Sequence, residues 1–128
     1  MSTPTNAAFQ RVVLALQSAV LLGQAVTAGL MLTARTGQPL HSAGGYALFG
    51  LALAHLLLAV LAWRPGGGPP GPIGYAGGFV GVVVAQVYIG IAHVLVVHVP
   101  LGVLLFAASV LYLAQLRVHR PHRQRSGA

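Results

Sequence analysis

The chain has 128 residues, 56% apolar and 5% charged, and its net charge of +7 comes from arginine alone, with no Asp, Glu or Lys. A soluble domain carries about 25% charged residues, so a chain this poor in charge cannot cover a water-facing surface and its main solvent is lipid. No cysteine is present, which excludes disulfides, iron–sulfur clusters and thiolate-held groups, and without carboxylates there is no carboxylate general base, Mg²⁺ site or Ser-His-Asp set.

Residues 1–11 form a short polar segment ending in Arg11, without the basic-then-apolar order of a signal peptide. Span one is expected over 12–34. It carries Gln17 and Gln24, seven apart and so on one helical face. Amides are costly in hydrocarbon unless partnered, so that face should point inward, either as interhelical glue or as a polar wall of a cofactor or quinone pocket. Gly37 and Pro39 mark a loop. Span two is expected over 41–63, closed by Trp63 and Arg64, an aromatic-then-basic pair suited to a membrane interface. Residues 65–72, rich in Pro and Gly, read as a flexible connector; they follow no strand and are no phosphate loop. Span three is expected over 73–97 and span four over 99–116, with Pro100 in its first turn.

The remaining segment, 117–128, is a basic tail. Four of the seven arginines, Arg117, Arg120, Arg123 and Arg125, lie there. They form no face for nucleic acid and read instead as an anchor against anionic headgroups. The fold class that follows is all-α: an integral membrane up-down four-helix bundle of one domain. With four spans, both termini and the 64–72 loop share a side. That side holds six arginines and the other only Arg35, so the termini should be cytoplasmic. In a bacterium the other face is then the periplasm or the cell exterior.

Six histidines are present. His119 and His122 lie among the tail arginines and are read as solvated. His41 and His98 head spans two and four at the same outer level. Those spans run parallel and diagonal across an up-down bundle, so two imidazoles there can ligate a metal macrocycle from both sides. A shared frame, His-x3-Gly-x2-Leu-Phe, runs through His41, Gly45, Leu48 and Phe49 and again through His98, Gly102, Leu105 and Phe106. Gly45 and Gly102, one turn below each histidine, would let a flat macrocycle approach the backbone, and Phe49 and Phe106 would close its apolar end. The alternative is that these small residues simply allow tight helix packing.

Gln24 precedes the first frame and Gln86 the second, which suggests a duplicated two-helix hairpin. His93, Arg35 and the two glutamines complete the residues expected around the cofactor. His55 lies 14 after His41 on nearly the same face. The matching residue in span four is Tyr112, so a second bis-histidine site lacks its partner and a structural His55 is expected. A three-histidine metal site of His41, His93 and His98 is a further alternative.

The residues Gln24, His41 with Gly45, Gln86-Val-Tyr-Ile-Gly90, and His98 with Gly102 resemble one four-helix half of the haem A synthase family and small bacterial four-span proteins of the same layout. That resemblance implies that His41 and His98 are axial ligands of a b-type haem. It departs at Gln38, where the synthase carries a glutamate linked to its chemistry, and in lacking a second bundle. The expectation is therefore a small b-type cytochrome for electron transfer or haem holding, rather than an enzyme on its own. It could work with a membrane redox partner or a quinone, or as a homodimer recreating the eight-helix shape. The other expectations are a cofactor-free accessory subunit of a larger membrane complex and a histidine-based metal carrier.

Overall fold

The computed structural model describes residues 4–118. Four helices account for nearly all of them: α1 (Pro4–Thr33), α2 (Gln38–Trp63), α3 (Gly71–Ile91) and α4 (Leu95–Val118). Each is long and apolar enough to cross a membrane. Their outward faces carry exposed Leu16, Leu22, Val26, Leu53, Leu57, Val103, Leu104 and Leu111, an arrangement that costs free energy in water and none in hydrocarbon.

The helix boundaries refine those expected from the sequence. α1 begins at Pro4, so most of the 1–11 segment is helical. α2 begins three residues before His41: Gly37, left-handed at φ 91°, precedes it, and Pro39 lies in its first turn. A proline there has no intrahelical partner to lose. The expected span of 73–97 stops instead at Ile91, and α4 begins at Leu95. The apolar run through this region hides the break, because no Gly or Pro occupies the turn at 92–94. The chain reverses at His93, which takes the left-handed φ of 58°, a conformation that histidine enters more readily than most non-glycine residues. As a result His98 sits in the first turn of α4, and Pro100 is the sixth residue of the helix rather than in its first turn. Arg117 and Val118 finish α4; residues 119–128, with His119, His122 and the other tail arginines, lie outside the described residues.

The bundle closes as a ring. α1 packs on α2 and α4, α3 packs on α2 and α4, and no Cα of α2 comes within 8 Å of α4, nor of α1 with α3. Spans two and four are thus diagonal, as expected. Leu21, Leu48, Ala52, Phe79, Val83 and Leu105 fill the middle. Below them, toward the end that carries the chain termini, a polar layer ties α1 to α4. The Gln17 amide donates to Ser109 Oγ at 3.2 Å, Ser18 Oγ and Ser109 Oγ lie 2.8 Å apart, and Ser18 also donates to the Leu14 carbonyl. Gln17 is therefore interhelical glue, in the sense expected.

Ser109→Ala removes the acceptor of Gln17 and the partner of Ser18 together. Interhelical polar contacts within membranes are worth about 1 kcal/mol. The variant should keep its helix content by circular dichroism and melt a few degrees lower in detergent. An unchanged melting temperature would mean that this layer adds nothing to the bundle.

Candidate functional site

At the end of the bundle away from the termini, the two hairpins are built alike. In the α1–α2 hairpin the Gln24 side chain crosses onto α2. A Cβ placed on Gly44 would meet its Oε1 at 2.6 Å, and one on Gly45 its Nε2 at 3.5 Å. In the α3–α4 hairpin the Gln86 side chain crosses onto α4, where a Cβ on Gly102 would meet its Nε2 at 3.0 Å. The glycines below each histidine therefore face the glutamine of the preceding helix, where the sequence suggested the edge of a macrocycle. The reason is the antiparallel register, which brings each long amide over the one position without a side chain.

Each histidine is tied to that same preceding helix. His98 Nδ1 lies 3.0 Å from the Gln86 backbone carbonyl. A carbonyl only accepts, so Nδ1 carries the proton and Nε2 holds the free lone pair. The Gln86 side chain returns to donate to the His98 carbonyl at 2.7 Å, clamping the residue from both ends. The ring also lies flat against α3, since a Cβ on Gly90 would meet His98 Cε1 at 2.8 Å and Nδ1 at 3.0 Å. On the other side His41 Nδ1 is 3.0 Å from Thr27 Oγ1, and the Thr27 hydroxyl reaches the Gly23 carbonyl at 3.0 Å. With the hydroxyl proton placed on that carbonyl, His41 Nδ1–H donates to Thr27 and leaves its Nε2 as an acceptor too.

The two rings come from diagonal helices, yet their centres are 6.1 Å apart, with planes inclined by 60°. Two imidazoles sharing one metal atom, each through a nitrogen at about 2 Å, have ring centres about 6 Å apart. The pair has that separation. Each Nδ1 is also held by the protein, as the second ring nitrogen of a metal-bound histidine usually is.

The other expected residues fall outside this pair. His93 stands exposed in the α3–α4 turn, its Nδ1 2.8 Å from the Ile91 carbonyl, where it caps the end of α3. Among the described residues no three histidines come together, so the expected three-histidine grouping does not form. Arg35 is exposed in the opposite turn, left-handed at φ 52°. Phe49 is turned outward at 37% exposure while its neighbour Leu48 takes the buried place; Phe106 does pack against the core. Gly90 was noted only as the end of the Gln86–Gly90 match, and Thr27 and Gly44 were not anticipated. Thr27 lies one turn past Gln24 on the same face.

His55 belongs to a separate buried cluster. It is 1% exposed, and neither ring nitrogen has a protein hydrogen-bond partner. Its ring lies 5.6 Å from Tyr112 and 5.9 Å from Tyr75. The tyrosines stack at 4.2 Å, and the Tyr75 hydroxyl donates to the Ala108 carbonyl. The sequence expectation of a structural His55 fits this ring packing.

No family model, curated protein or solved structure matches the chain. The geometry of the cluster makes its own prediction. His55→Phe keeps an aromatic ring among the tyrosines and should melt within a few degrees of the wild type. His55→Ala opens a cavity and should cost about 2–4 kcal/mol. Equal losses in the two variants would show that the imidazole nitrogens, and not the ring, hold this region together.

Proposed function

We propose that this chain is a small membrane b-type cytochrome that holds one haem b between His41 and His98. The observation that carries the reading is the opposed pair itself: two imidazoles from diagonal helices, 6.1 Å between centres, each with its Nδ1 engaged so that Nε2 is left to bind. The resemblance to one half of the haem A synthase family points the same way. So does the helix spacing, since diagonal helices held more than 8 Å apart leave an interhelical space that the two side chains bridge.

When bound, the haem supplies a one-electron couple. The chain's own residues fix the ligands. Gln86 holds His98 by its backbone and its amide, Gly90 lets the ring lie close to α3, and Thr27 orients His41. Two protein nitrogens would fill both axial positions, which favours electron transfer or haem holding over chemistry at an open coordination site. Gln38 stands exposed at the start of α2 where the synthase has its glutamate, so oxidation of a haem methyl is not part of the proposal. The arginine distribution favours a terminal end in the cytoplasm of a bacterial cell and a histidine end outside.

Purified from a haem-competent host, the protein should be red, with a sharp α band on dithionite reduction. His41→Ala and His98→Ala should each abolish the six-coordinate spectrum, while His93→Ala should leave it intact. A colourless protein, or a spectrum indifferent to both ligand substitutions, would overturn the assignment. Thr27→Val removes the partner of His41 Nδ1 without touching the ligand; the loss in haem affinity should be roughly 10–100-fold, read by transfer to an apo-globin acceptor.

A further inference from the structure

The opposite end of the bundle contains a second candidate site, unconnected with the histidine pair. We propose that Arg11 of α1 and Arg117 of α4 form a cleft that binds the phosphate of an anionic phospholipid headgroup.

The cleft has a volume of about 460 Å³ and is lined by Arg11, Val12, Ala15 and Arg117. Its two arginines come from different helices but share a level. The hydrogen bond between Gln17 and Ser109 fixes the antiparallel register of α1 on α4. Counting six residues from Gln17 to Arg11 and eight from Ser109 to Arg117 puts the guanidinium-bearing positions within about 3 Å of each other along the bundle. Neither arginine can be neutralised by a neighbouring side chain, because the chain contains no Asp or Glu. Two like charges lining one cleft repel each other, and a bound anion removes that cost. A phosphate is the fitting anion, since a guanidinium donates to it in bidentate fashion. The carbonyls at the end of α4 also favour a cation at Arg117.

The depth of the cleft selects a lipid. From His98 to Arg117 the helix rises about 28 Å, close to the hydrocarbon thickness of about 30 Å, so the arginines lie at headgroup level. Val12 and Ala15 line the cleft on the hydrocarbon side of Arg11, where an acyl chain would leave the headgroup. A basic pocket between spans at this level is a recognised form of acidic-lipid site.

The full-length chain, purified in detergent, is offered phosphatidylglycerol, phosphatidylcholine or inorganic phosphate, and bound molecules are counted by native mass spectrometry. The wild type should retain one phosphatidylglycerol in preference to phosphatidylcholine. Arg11→Gln combined with Arg117→Gln should weaken that preference about tenfold, which corresponds to about 1.4 kcal/mol. Replacing Arg120, Arg123 and Arg125 together with Gln should leave it in place. Circular dichroism confirms that each variant folds; if the double variant does not, Arg117→Gln alone serves, with a smaller loss. The proposal is overturned if the folded arginine variants hold phosphatidylglycerol as the wild type does, if only the tail substitutions abolish the preference, or if inorganic phosphate displaces the lipid.

Discussion

Hydrocarbon offers no hydrogen bonds, so a polar group within a membrane bundle is costly unless the protein supplies its partner. The histidine pair shows what that constraint does. His98 gives its Nδ1 proton to the Gln86 carbonyl, and His41 gives its own to Thr27 when the threonine hydroxyl donates to the Gly23 carbonyl. What remains at Nε2 is a lone pair on each ring, with 6.1 Å between the ring centres. Two acceptors cannot bond to each other. On the proposed reading one metal atom takes both, and the separation of the rings suits that. The surrounding features at this end, the crossing glutamines and the bare glycines, serve to keep those rings where they are.

The glutamine-on-glycine contact also explains why the two hairpins look related. In each, an amide from the first helix reaches a glycine one turn past the histidine of the second. A longer first helix and a different turn separate Gln24 from His41 by 17 residues and Gln86 from His98 by 12, yet the contact is the same. The halves differ in what receives the imidazole proton: a backbone carbonyl for His98 and a hydroxyl for His41. A carbonyl fixed in a helix cannot rotate away, whereas a threonine hydroxyl can reorient toward its own helix. His98 is therefore the more rigidly held imidazole.

Much of this was legible in the residues. The absence of carboxylates and the long apolar runs gave four spans, and chain order alone made spans two and four diagonal with His41 and His98 level. The end of span three was not legible. The run from Ile89 to Val99 is apolar on both sides of the turn, and the reversal uses a left-handed histidine in place of a glycine. The neighbours of Gly45 and Gly102 were not legible either. Their spacing from the histidines shows that they share a face, but only the register between helices shows that Gln24 and Gln86 cover it. Thr27 shares a face with Gln24, but its tie to His41 depends on a neighbour 14 residues away on another helix.

The vertical arrangement limits what such a protein can do. His41 and His98 lie at one end, while the six-residue apolar core separates them from the polar layer of Gln17, Ser18 and Ser109. His55 and Tyr112 each stand 14 residues past their histidine, about 21 Å deeper by helical rise. They repeat the upper pair in position but not in chemistry. Tyr75 stacks on Tyr112 at 4.2 Å, and the three rings pack together in place of an open pair of ligands. On the proposed reading a single redox centre then sits near one face of a hydrocarbon layer about 30 Å thick, with no second centre beneath it to relay charge. Electrons would enter and leave on the histidine side, through the short turns that carry Arg35 and His93. The terminal end, with its arginines and no carboxylates, is left to interact with the lipid surface.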